Sequence, residues 1–167
     1  MSLTDRLQSD IKSAMRGGDG PRRDTLRMVL AAAQNAEKDK GAALTPEEEL
    51  AVLTREVKQR RESIDAFEKA GRDDLAAGEF AEVEILMPYL PEQLGDDELR
   101  ALVVAAIART SATSARDMGK VMGALMPDVK GKADGRAVSS MVAQELARTD
   151  LAEHDGDDHA SAEKAEG

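Results

Sequence analysis

Apolar residues recur three and four positions apart along most of this chain, the spacing that places them on one face of an α-helix. The first such run consists of Leu3, Leu7, Ile11 and Ala14. Ser2 is placed to cap this helix, and Gly17-Gly18 ends it. A second run begins near Pro21 and stops by Gly41. The pattern therefore predicts two helices in succession at the start of the chain.

A third helix has a specific start signal in Thr45-Pro46-Glu47-Glu48. Threonine followed three residues later by glutamate forms a capping box, and proline is favoured at the first helical position. The apolar stripe continues to Phe67 and is interrupted only by Arg60, and Gly71 ends the helix. This pattern predicts the longest helix of the first half.

A fourth helix is predicted from about Asp73 toward Met87, with Phe80 near its apolar side. Pro88 and Pro91 then break the helical pattern, because proline lacks the N–H that a helix interior needs. We expect the chain to turn here.

Three further helices follow the prolines. The first spans Asp96 to Ala108, and Ser114 is placed to cap the second, which Pro127 ends. Asp134 is placed to cap the last helix, which continues through Leu146. No convincing strand is present in the pattern. We predict an all-α protein with an N-terminal four-helix unit (residues 1–90) and a small three-helix C-terminal domain (residues 91–148).

The net charge of −10 is unevenly distributed. Residues 150–167 contain seven acidic residues and one basic residue, a net charge of −6, which leaves −4 for residues 1–149. The large apolar side chains of this segment are limited to Leu151, so burial cannot offset the entropy of ordering it. We predict a disordered acidic tail over 149–167. His154 and His159 lie in it five residues apart, not on one helix face, so we predict no metal site and no cofactor.

Composition excludes several classes of function. The chain has no cysteine, which removes disulfides, thiolate nucleophiles and cysteine-ligated zinc. No apolar run is long enough to span a bilayer, and the first 20 residues lack the apolar core of a signal peptide. We therefore expect a cytoplasmic protein. Phe67, Phe80 and Tyr89 are its three aromatic residues, too few for a surface that stacks bases.

One candidate for a paired-carboxylate site is Glu79 with Glu82, three residues apart on the fourth helix. General acid–base chemistry needs such a carboxyl group in an apolar pocket. The alternative is an ion-pair network with arginine, and Arg60 on the apolar stripe needs a carboxylate partner if it is buried. We favour a structural bridge from Arg60 to Glu79 or Glu82.

A second candidate site is the locally basic region from Arg116 to Arg136. It holds five basic and three acidic residues in an otherwise acidic protein. The residues that would contact phosphate groups are Lys120, Lys130, Lys132 and Arg136. The lysines of Lys130-Gly131-Lys132 precede a predicted helix N-terminus, where free N–H groups and the helix dipole favour anions. The alternative is a solvated loop whose glycines serve its turns.

Several segments, in this order along the chain, resemble the YqeY family. They are Leu26-Arg27-Met28, Lys58-Gln59-Arg60-Arg61-Glu62-Ser63, Tyr89-Leu90-Pro91, Asp117-Met118-Gly119-Lys120-Val121-Met122 and Lys130-Gly131-Lys132-Ala133-Asp134-Gly135. The resemblance extends from about Leu3 to Leu146 and leaves the acidic tail outside it.

The YqeY family is similar to the tail region of GatB, a component of the glutamine-dependent aspartyl/glutamyl-tRNA amidotransferase. The resemblance implies two helical domains and, since that tail helps to hold tRNA, a non-catalytic RNA-binding or adaptor protein linked to translation. Its partners would be tRNA or a translation-related protein. The alternatives are a protein–protein docking module and, following a label common in the family, a carbon–nitrogen ligase with glutamine as amido donor.

Overall fold

The computed structural model describes the backbone of residues 1–162 and the side chains of residues 1–154. These residues form seven α-helices and two short 3₁₀-helices and contain no strand, which confirms the all-α prediction. The α-helices are α1 (Leu3–Gly17), α2 (Gly20–Lys40), α3 (Pro46–Lys69), α4 (Asp73–Leu86), α5 (Asp96–Thr110), α6 (Met118–Val129) and α7 (Gly135–Ala162). The 3₁₀-helices are Met87–Tyr89 and Ala115–Asp117.

The helix ends follow local sequence signals. At the start of α3 the Thr45 hydroxyl accepts from the Glu48 N–H at 3.3 Å, and the Glu48 carboxylate accepts from the Thr45 N–H at 2.7 Å. Ser2 forms the same reciprocal pair with Asp5 at α1. Gly41 follows α2 with a φ of 73°, a left-handed conformation that glycine adopts without a steric penalty. The predicted starts of α1 and α3 are therefore correct.

The chain divides into two compact units, one formed by Met1–Pro91 and one that begins at Glu92. In the first unit α1 packs against α2, and α4 packs against α3 and α2. The fully buried side chains of its aliphatic core include Leu7, Leu26, Val29, Leu53 and Leu86. Each of these residues lies on the apolar stripe of its own helix.

Phe80 differs from its predicted position, because its side chain is 50% exposed. Ala76, Val83 and Leu86 form the buried face of α4, and Phe80 lies at the edge of that face. Helix α4 is apolar around much of its circumference, so periodicity alone does not distinguish the face that packs.

Tyr89, near the end of the first unit, contacts α1 through its side chain. Its hydroxyl donates a hydrogen bond to the Asp10 carboxylate, and the Arg6 guanidinium lies 5.0 Å from the centroid of its ring. The side chain is 7% exposed. Burial, together with the hydrogen bond to Asp10, raises the pKa of Tyr89 to about 12.

The second unit consists of α5, α6 and α7, which contact one another in all three pairs. Its fully buried side chains include Val103, Val121, Leu125, Val142 and Leu146. The prediction that Pro127 ends α6 is wrong, because the helix continues to Val129. The missing N–H of proline removes one hydrogen bond in the last turn, which the helix tolerates so near its end.

Helix α7 extends to Ala162 and therefore includes most of the segment predicted as disordered, 149–167. Residues 163–167 lie outside the described residues. A helix that already exists needs only to add residues, without the cost of nucleation, and alanine and glutamate favour that addition. Among residues 1–162, no helix combines the length and apolar character that crossing a membrane requires.

Because the chain has one tyrosine, titration of its hydroxyl can test the hydrogen bond between Tyr89 and Asp10. We expect the ultraviolet absorbance of tyrosinate to titrate with a midpoint near pH 12 in the folded protein and near pH 10 in urea. Because the folded state keeps this proton to higher pH, the stability that Tyr89 contributes is complete below pH 10 and is lost as the pH rises toward 12.

The variant Asp10→Asn tests the cause of this shift. Removal of the carboxylate should lower the folded midpoint, while burial keeps it above the unfolded value. A folded midpoint near pH 10 in the unaltered protein would contradict the contact. The chain has no tryptophan and one tyrosine, so the signal has one source.

Candidate nucleic-acid interface

The loop between α6 and α7 has a backbone conformation fixed by hydrogen bonds. The Lys130 N–H donates to the Met126 carbonyl at 3.0 Å, and the Lys132 N–H donates to the Val129 carbonyl at 2.9 Å. Gly131 between them has a φ of 73°, which a residue with a side chain adopts only with strain. The loop therefore holds its basic residues on a defined backbone.

The segment that precedes α5 also hydrogen-bonds to this loop. The Leu94 N–H donates to the Lys132 carbonyl at 2.8 Å, and the Gln93 side-chain amide donates to the Gly131 carbonyl at 2.8 Å. Gly131 is buried, whereas Lys130 and Lys132 on either side of it are exposed. The two hydrogen bonds thus fix the loop backbone and leave the two ammonium groups in solvent.

The sequence-predicted basic residues are all exposed: Lys120, Lys130, Lys132 and Arg136. Within the part of the chain whose side chains are described, no carboxylate oxygen lies within 4.0 Å of the ammonium nitrogen of any of the three lysines. Arg136 lies in the first turn of α7, two residues after Asp134. The arrangement suits an anion.

Several acidic groups of the second unit are engaged elsewhere. The buried Glu145 carboxylate accepts from Arg100 at 2.8 Å and from Arg148 at 3.3 Å. The Asp128 carboxylate lies 3.9 Å from Arg109. Asp117 accepts from the Thr113 N–H at 2.9 Å, and this hydrogen bond lowers the pKa of Asp117. Residues 92–148 contain eight basic and eight acidic residues, and the charge of Lys120 also contributes to the lowered pKa of Asp117.

The structure brings three of the four basic residues together. Lys130, Lys132 and Arg136 lie in or beside one loop, whereas Lys120 lies in the first turn of α6. Ten residues at the helical rise place Lys120 about 15 Å from Lys130 along the helix axis. The two ends of α6 are thus both basic.

Arg60, the other predicted site residue, is 5% exposed and forms a buried ion-pair network. Its Nε donates to Glu82 at 2.8 Å, and its Nη1 donates to the Glu56 carboxylate at 3.0 Å and to the Glu56 carbonyl at 2.9 Å. The network joins α3 to α4. A guanidinium satisfied by two carboxylates serves packing better than it serves catalysis.

Glu79 lies near this network without a direct hydrogen bond to Arg60 among the contacts described. Burial raises the pKa of Glu79, and the neighbouring Glu82 charge raises it further, while Arg60 acts in the opposite direction. Glu79 is therefore an electrostatic neighbour of the bridge.

The chain matches the family model described as "Yqey-like protein" over residues 4–146. This match extends from the first turn of α1 into α7, as far as Leu146, and includes both the Arg60 network and the basic loop. The chain belongs to the YqeY-like family.

Curated relatives of this YqeY-like protein are fungal. "Altered inheritance of mitochondria protein 41, mitochondrial" from Pyrenophora tritici-repentis is 33% identical over 140 residues, which cover 82% of this chain and 77% of the relative. Proteins of the same name from Eremothecium gossypii and Clavispora lusitaniae are each 38% identical, over 46% and 52% of their lengths. The matches to these two relatives thus span about half of their length.

The names of these relatives contradict the prediction of a cytoplasmic protein, because each is named as mitochondrial. That prediction rests on the lack of cysteine and of an apolar leader. Both properties are compatible with more than one aqueous compartment, so composition was insufficient to decide the location.

Two carboxylates of these networks were missed in the sequence. Glu56 lies four residues before Arg60 on α3, a spacing that places both on one helix face and was sufficient to suggest the pair. Glu145 interrupts the apolar stripe of α7 and is 9% exposed, as Arg60 interrupts that of α3. A charge on an apolar stripe was the signal in both cases. Among the described residues, no cluster of metal-ligating side chains is present.

The Arg60 network should contribute to the stability of the first unit. We expect Arg60→Ala to lower its free energy of unfolding by about 3 kcal/mol, because two partly buried carboxylates lose their cation. Arg60→Met combined with Glu56→Gln and Glu82→Gln should lie within about 1 kcal/mol of the unaltered protein, because no charge is left unpaired. Urea denaturation followed by circular dichroism measures both.

Arg55→Ala is the matched control, since Arg55 is an exposed arginine on the same helix. Its expected effect is within about 0.5 kcal/mol. Equal losses for Arg60→Ala and Arg55→Ala would show that the buried network adds nothing to stability.

Proposed function

We propose that this protein is an RNA-binding or adaptor protein linked to translation, and that its second unit contacts the phosphate groups of a folded RNA such as tRNA. The observation that carries the proposal is a set of exposed lysines that have no carboxylate partner among residues 1–154, whose side chains are described: Lys120, Lys130 and Lys132. Lysine is a point charge suited to phosphate groups, and phosphate contacts supply most of the affinity of proteins for nucleic acids.

The rigid loop supports this proposal. Four hydrogen bonds fix the backbone of Lys130–Lys132, so an RNA strand that binds there orders the two lysine side chains without also ordering the loop. The N–H groups of the first turn of α7 follow directly and add partial positive charge.

The composition of the second unit determines what kind of recognition is expected. Residues 92–167 contain no phenylalanine, tyrosine or tryptophan, so bases have no aromatic ring to stack on. Phosphate contacts position a protein without reading sequence. Selectivity for one RNA therefore has to come from its shape, as is usual for structured RNA.

The link to translation comes from the family. YqeY proteins are similar to the tail of GatB, which helps to hold tRNA in the amidotransferase. The match over residues 4–146 includes all four basic residues. tRNA is accordingly the first RNA to test.

We expect the full chain to bind tRNA in a fluorescence titration at low salt and to lose affinity as salt rises. The triple variant Lys130→Ala/Lys132→Ala/Arg136→Ala should bind at least tenfold more weakly. Loss of three phosphate contacts should also reduce the slope of log affinity against log salt by about 2 to 3.

The matched control is Lys12→Ala/Lys38→Ala/Arg55→Ala, which removes the same three side-chain types from exposed positions of the first unit. Both variants have the same net charge, so a general effect of charge would weaken both equally. Absence of binding at low salt, or equal affinity of the two triple variants, would refute the proposal.

A further inference from the structure

Helix α4 has an exposed face that carries a large aromatic side chain. Its members, here called the Phe80 face, follow one another at helical spacing and are all exposed: Asp73, Ala77, Phe80, Ala81 and Glu84. The side of α4 that enters the core of the first unit holds Ala76, Val83 and Leu86 instead. The first unit therefore presents to solvent an apolar patch that has an acidic residue at each end.

Phe80 differs from the other two aromatic residues of the chain. Tyr89 is 7% exposed, and Phe67 is partly buried and packs against the core of the first unit. Phe80 is 50% exposed. Aromatic rings bury a large apolar area per side chain and are enriched at protein–protein interfaces. The chain thus leaves in solvent, from a small supply of aromatic residues, the type of side chain that protein partners use as an anchor.

The charges of α4 indicate the chemistry of such a partner. Residues 73–86 contain five acidic residues and no basic residue. Two of the acidic residues off the Phe80 face, Asp74 and Glu82, pair with arginines at 3.2 Å and 2.8 Å. Asp73 and Glu84, which lie on the face, have no basic nitrogen within 4.0 Å among residues 1–154. A partner that covers this face therefore meets two carboxylates that still lack a cation.

Spacing along the helix gives the pattern that the partner has to match. At a rise of about 1.5 Å per residue, Asp73 lies about 10 Å before Phe80 along the axis and Glu84 lies about 6 Å after it. Ala77 and Ala81 lie beside the ring, so the middle of the face is apolar and its ends are acidic. An amphipathic helix with an apolar stripe and basic residues beside it has the complementary pattern.

We infer that the Phe80 face binds a basic amphipathic helix of a partner protein. Phe80 packs against the apolar stripe of that helix, and Asp73 and Glu84 pair with its lysine or arginine residues. An aromatic anchor in the centre of an interface supplies most of the affinity, while charges at the rim set orientation and association rate. The inference goes beyond the RNA contact proposed for the second unit and does not depend on it, because it assigns a protein partner to the first unit.

The acidic ends of the face disfavour two other occupants. A nucleic acid is repelled by Asp73 and Glu84, since all of these groups are negative. A second copy that packs α4 against α4 brings the acidic residues of both copies into one interface, and α4 has no basic residue to pair with them. A basic partner is therefore favoured over both.

The test measures binding of a labelled peptide to the full chain by fluorescence anisotropy at low salt. The probe is a helical peptide of about 18 residues with leucine on one face and lysine on the other. The reference peptide has glutamate in place of lysine. We expect the lysine peptide to bind and the glutamate peptide not to bind. Phe80→Ala should weaken binding of the lysine peptide about tenfold, and Asp73→Asn/Glu84→Gln should weaken it about threefold.

Each variant has a matched control. Met15→Ala removes another apolar side chain of the first unit, which is 55% exposed. Asp39→Asn/Glu47→Gln removes the same two charges from exposed positions of α2 and α3. Both controls should bind the lysine peptide as the unaltered chain does. The melting temperature of Phe80→Ala should stay close to that of the unaltered chain, because alanine favours helix and the ring is half exposed.

Three outcomes would overturn the inference. The first is absence of binding between the lysine peptide and the unaltered chain. The second is an equal loss of affinity in the variants of the Phe80 face and in their controls, which would show that the peptide binds acidic surface in general. The third is self-association of the unaltered chain that Phe80→Ala abolishes, which would assign the face to a second copy. Because the probe is a peptide, failure here and failure of tRNA binding are distinguishable.

Discussion

The architecture depends on the packing of aliphatic stripes between helices. With three aromatic residues in the chain, both cores consist mainly of leucine, valine, isoleucine and alanine. Such side chains pack closely but bury little area each, so most helices contribute three to five buried residues to a core. The requirement that each stripe face its neighbours fixes the rotation of every helix. It also determines which residues remain in solvent, and the basic residues of α6 and of the loop after it are among them.

Much of this arrangement could be predicted from the sequence, because the signals are local. The capping boxes at Ser2 and Thr45 and the glycine after α2 determine helix ends within a few residues, and the structure places the ends there. The burial of Arg60 was also visible, since a charge on an apolar stripe has few alternatives to a carboxylate partner. The prediction for Phe80 is wrong because α4 is apolar on several sides, and only tertiary packing selects one of them.

The geometry of the basic region could not be read from the sequence. The hydrogen bonds from Gln93 and Leu94 to the loop join residues almost forty positions apart, and no sequence pattern within either segment indicates them. The same holds for the two glycines of α6. Glycine in a sequence suggests a turn or flexibility, and only the open space over Gly119 and Gly123 in a regular helix shows that neither explanation applies.

Acidic composition and a nucleic-acid partner are compatible in this molecule because the charge is divided by region. The first unit contains eighteen acidic and fourteen basic residues, whereas residues 92–148 are balanced. Residues 150–167 carry −6 of the net charge of −10. The acidic excess therefore lies outside residues 92–148, the part of the chain that contains the basic loop. This distribution favours one orientation of binding over many weak ones.

The hydrogen bonds between the basic loop and the segment before α5 have a mechanical consequence. Gln93 and Leu94 lie two and three residues after the end of the first unit, and both hydrogen-bond to carbonyls of the loop. A pull transmitted along the backbone from the first unit reaches these two bonds before it reaches any residue of α5. The backbone of the loop, and with it the two lysines, therefore depends on the position of the segment that precedes α5.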